Sequence, residues 1–506
     1  MKLLLEMRGR VARGARVGLA VAAALTLLAS CGGGGGGASD SSAGLVASSS
    51  VAQHCAAPRS GSTDIQGTVL DEKNWLRSWT DETYLWYQDV RALSASTLDP
   101  GNYATALDYF DVLKSPLLTA SGKEKDHFHF TYDTPTWIAL SQTGVSYGYG
   151  FEVALLANKP PRQALVAYTS PGTPAVTANI VRGAQILTVD GIDLVNDNTS
   201  AGVDALNAGL FPSAAGAHTF TVLDPGASTP RSVQLTAAAL TEATVQNVKT
   251  LPAPNHSVGY MQFNDHLATS EKQLVDAINQ LKTAGVTDLM LDLRYNGGGY
   301  LDVASELAYM IAGPTPTNGQ VFEQLTFNDK NPFQLTAAQT VTPFHASALG
   351  FSLTSGTPLP TLNLSRVFVL VGAGTCSASE AIVNGLRGVG VQVNLIGATT
   401  CGKPYGFYPQ DNCGTTYFSI QFRGVNQLGQ GDYADGFTPT CAAADDFAHA
   451  LGDPIEGRLA AALSYRANGV CAPAMAQAQG LHKTAAVVEP TLVRSPLREN
   501  RIYRPR

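Results

Sequence analysis

Between Val258 and Ile396 short apolar runs alternate with helix-length amphipathic stretches, and this alternation constrains the fold more than any other feature. Val258–Phe263, Asp288–Leu293, Arg366–Val371 and Val391–Ile396 read as strands, the middle two buried. Ser270 to Ala284 carries apolar residues at helical spacing and is ended by Gly285, and Leu301 to Ile311 reads the same way. A third helix is expected from about Ala378 to Arg387. Strand–helix–strand repeats of this length join parallel strands by right-handed crossovers. Residues 250–471 are therefore expected to form an α/β core.

The chain has 506 residues, too many for one core, so two or three domains are expected. Hydrophobic content of 44% against 14% charged residues, with 50 Gly and 27 Pro, fits a folded, loop-rich chain rather than a disordered one. Residues 51–135 give a helical N-terminal region. Trp75, Leu76, Trp79, Tyr84, Leu85, Trp86 and Tyr87 form an aromatic stripe suited to core packing, and Tyr103, Leu107, Phe110 and Leu113 share one helical face. Residues 140–242 change to short β-runs punctuated by Gly and Pro, which reads as a β-rich domain.

The first 30 residues read as an export signal. Lys2, Arg8, Arg10, Arg13 and Arg16 precede the apolar run Val17–Leu28, which is too short to span a membrane as a stable helix. Leu28-Ala29-Ser30-Cys31 resembles a bacterial lipobox, which implies cleavage before Cys31 and its acylation. A Gly/Ser tether is expected over residues 31–50. Gly32 rather than Asp after Cys31 points to lipid anchoring in the outer membrane, facing the periplasm. Without residues 1–30 the chain holds 28 basic and 39 acidic side chains, a net −11, which argues against a nucleic-acid partner. The basic stretch 472–506 reads as a solvated, disordered end. Beyond Cys31 six cysteines remain, an even number suited to disulfides in an oxidising compartment. Cys401–Cys413 and Cys441–Cys471 are the expected pairs, while Cys376 and Cys401 beside the candidate site offer an alternative bridge or a redox-sensitive pair. No CxxC pair is present, and no metal site or cofactor is expected.

Three segments carry chemistry. Gly374-Thr375-Cys376-Ser377-Ala378-Ser379-Glu380 joins a buried strand to a helix, whose N-terminus favours negative charge on an attacking Ser377 or a developing oxyanion. Plain helix capping is the other use of such a Ser. Thr399-Thr400-Cys401-Gly402-Lys403 follows the next strand, so its loop is expected beside Ser377 at the carboxyl ends of the sheet. A Lys desolvated there has a lowered pKa and can take the Ser proton as a general base. Asp292-Leu293-Arg294-Tyr295-Asn296-Gly297-Gly298-Gly299 ends another strand, and its glycines let backbone N–H groups approach a ligand. One of them, paired with the Ala378 N–H, can form an oxyanion hole.

These three blocks, in this order and after a PDZ-like segment, resemble the carboxyl-terminal processing peptidases, also called tail-specific proteases. The resemblance covers about residues 140–460. It implies a ClpP/crotonase-like layered α/β protease core with a β-rich PDZ-like domain. It also implies a Ser–Lys dyad with Ser377 as nucleophile and Lys403 as base, and Ala378 and Gly298, or a neighbouring glycine, as oxyanion donors. Gly148-Tyr149-Gly150-Phe151 resembles the PDZ carboxylate-binding loop, where successive N–H groups hold a peptide C-terminus and the next strand pairs with it. The expected activity is cleavage of exported or unfolded proteins near their C-termini, with protein or peptide partners. A non-catalytic protein binding peptides or lipophilic ligands on the same scaffold is the competing reading.

The chain departs from the family pattern at several points. The family's Gln four residues after the Lys is Phe407 here, with Gln410 as a nearby substitute. Gly436-Phe437-Thr438-Pro439-Thr440 retains only the turn chemistry of a Gly-x-x-Pro-Asp motif. The nine histidines lie outside the three blocks, which argues against a His-based triad. His127 and His129 are explained better by strand alternation than by a metal. Glu380 is expected to bond locally and position its loop.

Overall fold

Paired Thr/Asp signals open the N-terminal helices. Thr68 and Asp71 form a capping box ahead of α1 (Val69–Thr83), and Thr105 and Asp108 form another ahead of α2 (Ala106–Val112). Trp75 and Trp79, one turn apart on α1, stack with ring centroids 5.3 Å apart. The computed structural model describes residues 44–471 and 489–493. Trp75, Leu76, Trp79, Tyr84 and Tyr87 of the aromatic stripe are buried and Leu85 and Trp86 half-buried, but the stripe does not close a domain of its own. Tyr417 and Ile420 from the α/β region complete its core. The expected tether also ends earlier than Ser50, because Ser48–Val51 forms a helical turn whose Ser48 N–H donates to Glu82 at 2.8 Å.

The β-rich domain begins at the strand Val145–Gly148, which pairs with Ala238–Thr241. Strands β1 (Phe151–Ala157), β2 (Gln163–Thr169) and β3 (Gln185–Val189) follow, then helix α3 (Ser200–Leu210), β4 (Ala217–Leu223) and β5 (Arg231–Thr236). The sheet order is β5-β4-β3-β2-β1, antiparallel throughout. Alternating side chains such as Val153, Leu155, Ile186, Phe220 and Leu235, with Val203 and Leu206 of α3, form a separate apolar core.

The α/β core follows the expected order. Strands β6 (Val245–Thr250), β7 (Val258–Phe263), β8 (Asp288–Asp292), β9 (Arg366–Val371), β10 (Gln392–Gly397) and β11 (Cys441–Ala442) lie side by side in that order. From β7 to β11 all are parallel, and β6 is an antiparallel edge. The helices α4 (Ser270–Thr283), α5 (Leu301–Ala312) and α6 (Ala378–Gly388) pack over one face through Leu274, Ile278, Leu307 and Ile382. The helix α7 (Gly457–Asn468) covers the other through Leu459 and Ala462. Coverage on both faces explains why β7 to β9 are apolar almost throughout. Among the described residues no helix is long and apolar enough to cross a membrane.

Two expectations are corrected. Cys413 pairs with Cys55, and Cys401 pairs with Cys376, so no Cys401–Cys413 bridge exists; Cys441–Cys471 is present. Cys413 sits in the turn between Gln410–Asn412 and Thr415–Phe418, and Asn412 Oδ1 accepts the Gln53 N–H, which turns Cys413 toward the N-terminal region. The Cys401 N–H donates instead to Thr375 O, beside Cys376. The second correction concerns the stretch 472–506. Its residues Thr491–Val493 form β12, antiparallel to β1. The expected signal peptide and Cys31 lie outside the described residues.

A buried ionic hub joins the β-rich domain to the core. The Arg294 guanidinium meets Asp292 at 2.9 Å, Asp445 at 2.7 Å and both oxygens of Glu456 at 2.7 and 2.9 Å. Arg182, in the turn before β3, reaches the same Asp445 at 2.6 Å and accepts no proton itself: it donates to Tyr295 Oη at 2.7 Å. Burial alone would raise Asp445, but Arg182, Arg294 and Arg458 overcome it and hold the carboxyl well below the usual range. A depressed carboxylate contributes stability above its unfolded pKa and loses it in acid. Asp445→Asn is therefore expected to cost about 3 kcal/mol at pH 7. Urea unfolding of both proteins checks this, and the difference should narrow as the pH falls below about 4.

Candidate active site

The loop after β9 is tied to the loop after β8 before it reaches the helix. Thr375 Oγ1 donates to Leu293 O at 2.8 Å, and the Cys376 N–H donates to Asn296 O at 3.1 Å. Ser377 then adopts φ +54° and ψ −117°, a strained conformation for a residue with a side chain, at the cap of α6. Ala378 follows at the first helical position, where backbone N–H groups lack intrahelical partners. Gly298 packs directly on this turn. A Cβ there would lie 2.8 Å from Ser377 Cβ and 2.9 Å from Ala378 N, so only glycine fits. The structure thus brings Ser377, Ala378 and Gly298 together. It directs the Gly298 N–H to Asn296 Oδ1 at 2.9 Å, so in this arrangement Gly298 shapes the turn while its N–H is engaged.

Glu380, buried on the first turn of α6, links this loop to the one after β10. Its carboxylate accepts the Ser377 N–H at 3.1 Å, the Thr400 hydroxyl at 2.5 Å, the Gly402 N–H at 2.9 Å and the Lys403 N–H at 2.8 Å. The Cys376–Cys401 bridge spans the same two loops. The sequence reading of Glu380 as a local anchor was too narrow, because the parallel neighbour strand brings a second loop within its reach. Burial pushes Glu380 above the usual carboxylate range, although Thr400 and the three backbone donors pull it down.

Lys403 is buried with 6% of its surface exposed. Its Nζ lies 4.3 Å from the centre of the Phe407 ring and 4.8 Å from that of Phe128. Phe407 thus faces the Lys403 Nζ where the resemblance would place a Gln. Gln410 does not take that place: it is exposed, and its amide donates to Asp411 O at 3.2 Å. Phe128 comes from the N-terminal region and had no signal beyond general apolarity.

His266 was also missed. It is fully buried in the loop after β7, and its Nδ1 lies 3.0 Å from Asn296 Oδ1, the same oxygen that accepts the Gly298 N–H. Burial lowers the ring to about 3, so it stays neutral and holds the glycine turn through Asn296. A lone His carries no sequence signal for such a role. Elsewhere, Gly148, Tyr149, Gly150 and Phe151 lie in the β-rich domain, apart from these loops. Tyr149 is buried and donates to Gly209 O at 2.7 Å, Gly150 adopts φ +82°, and Phe151 begins β1. His127 is exposed and its Nδ1 donates locally to Glu124 O at 2.9 Å, while His129 stacks on Phe110 with centroids 3.9 Å apart.

These elements make a parallel α/β domain whose adjoining strand ends gather a Ser, a Lys and a glycine turn. Residues 257–407 match the model of Peptidase family S41. A carboxyl-terminal-processing protease of Picosynechococcus sp. is 29% identical over 267 residues, covering 53% of this chain and 56% of that protein. The chloroplastic C-terminal processing peptidase of Tetradesmus obliquus is 30% identical over 241 residues, covering 45% of each. The chain thus spans about half the length of these relatives. A solved Bacteroides fragilis structure assigned to the S41 proteases superposes with a TM-score of 0.57 at 24% identity, covering 78% of this chain and 97% of that one. That likeness speaks for the fold.

Because the folded pKa of Glu380 is raised, its share of stability is largest at low pH and declines as the pH rises through that pKa. Its ionised form supplies geometry rather than stability. Glu380→Gln is expected to flatten this decline and to speed hydrogen exchange at the Gly402 and Lys403 amides, both read by mass spectrometry and by unfolding across pH.

Proposed function

We propose that the chain is an exported serine endopeptidase of the carboxyl-terminal processing type, acting through a Ser377–Lys403 dyad. The observation that supports this reading is the Glu380 carboxylate, which accepts the backbone N–H groups of both Ser377 and Lys403 and so ties their two loops together. Neutral Lys403 takes the Ser377 hydroxyl proton as the oxygen attacks a peptide carbonyl carbon. The carbonyl oxygen becomes an oxyanion, stabilised by the Ala378 N–H and a second donor from the Gly297–Gly299 turn. Lys403 then returns the proton to the leaving amine, and an acyl-Ser377 ester remains. A water activated by Lys403 hydrolyses that ester and restores the dyad. No step calls for a metal or cofactor.

The β-rich domain serves in this reading as a PDZ-like module. The Gly148–Phe151 loop would hold a substrate C-terminus and β1 would pair with its last residues. The lipobox-like Cys31 anchors the protein to the membrane on the periplasmic side. Its substrates are then exported or unfolded polypeptides.

Cleavage of casein by the full chain tests the reading. Ser377→Ala and Lys403→Ala are each expected to lower the rate by at least about 10³-fold, and Ser377→Ala to abolish labelling by a fluorophosphonate. A parent protein silent toward casein and toward added C-terminal peptides would favour the non-catalytic binding role. Full activity in Lys403→Ala would overturn the assignment of the base.

A further inference from the structure

Strand β1 would be an edge of its sheet were it not for the chain's own Glu489–Val493. Edge strands expose unpaired N–H and C=O groups that readily accept another strand. Here Thr491, Leu492 and Val493 lie opposite Leu155, Ala154 and Val153 in antiparallel register, so the segment runs toward the Gly148–Phe151 loop. Successive residues of a strand point to opposite faces. Val493, 2% exposed, joins the core of the β-rich domain. Leu492, 7% exposed, packs instead with Ala154, Ala167, Leu451 and Tyr295, the last belonging to the glycine-turn segment. Four residues before Val493, Glu489 makes a two-oxygen ion pair with Arg458 at 2.6 and 2.7 Å. That Arg458 is buried on α7, and Glu489 lies against Gly372, at the start of the loop leading to Ser377.

We propose that the β1 edge is a peptide-binding edge whose resident occupant is Glu489–Val493, and that extended peptides of the same chemistry compete with it. That chemistry is two adjacent aliphatic residues, one for each face, with an acidic residue upstream for Arg458. The proposal rests on the reading of the β-rich domain as a peptide-presenting module. A tethered occupant acts at an effective concentration on the order of 1 mM. It lowers the apparent affinity of a free peptide by the fraction of time the edge is empty. Because the same segment touches Tyr295 and Gly372, exchange at this edge is felt by both loops that flank Ser377.

The test uses the full chain carrying Ser377→Ala, so that binding is read without turnover. The probe is a fluorescein-labelled peptide with the sequence of residues 487–493, followed by fluorescence anisotropy. Val493→Asp, which expels the resident segment, should bind the probe about tenfold tighter than its parent. Glu489→Gln, which leaves the apolar contacts intact and frees Arg458 for the probe's own Glu, should bind it about threefold tighter. A probe with both aliphatic residues changed to Asp should bind neither. Equal affinity of the parent and both variants would overturn the proposal; if Val493→Asp fails to fold, Glu489→Gln decides alone. Casein cleavage is read separately, so tight probe binding without proteolysis would refute the peptidase reading and leave this one standing.

Discussion

One buried carboxylate organises the candidate site. Glu380 belongs to the helix that follows Ser377, yet two of its four donors are amides of the loop that carries Lys403. A buried charge without partners would be costly, and here the partners are backbone groups that cannot move without moving the loops. The Thr400 hydroxyl completes the set and itself accepts the Phe437 N–H, which extends the same hold to a third loop. The Cys376–Cys401 bridge runs parallel to this arrangement. The relative placement of Ser377 and Lys403 is thus decided twice, once by hydrogen bonds and once by a covalent link.

The glycine turn is held from behind. His266 and the Gly298 N–H share Asn296 Oδ1, while the Asn296 amide donates to Phe263 O at the end of β7. A few residues earlier in the same segment, Arg294 and Tyr295 enter the ionic hub that includes Arg182 of the β-rich domain. Buried, directional contacts therefore join that domain to the base of the turn. The N-terminal region contributes in a different way. Its aromatic core closes on Tyr417 and Ile420, and Cys55–Cys413 fastens it there, so that Phe128 stands over the Lys403 Nζ. This region, through Phe128, thus forms part of the wall around Lys403 rather than an appended arm.

Local periodicity determined the α/β core. A run such as Asp288–Asp292 is apolar without alternation and a segment such as Ser270–Thr283 repeats at helical spacing, and both patterns are readable because they depend on neighbours in sequence. Ser377, Lys403 and the glycine turn were legible for a related reason: each directly follows a strand, and parallel neighbours place such ends together. Contacts between distant segments were decided only by the tertiary structure. Phe128 at Lys403, His266 at Asn296, Cys55 with Cys413 and Leu492 beside Tyr295 each join segments whose sequences carry no mark of the partner. A buried pairing depends on which surfaces the packed sheets and helices bring face to face, and single-residue chemistry does not encode that.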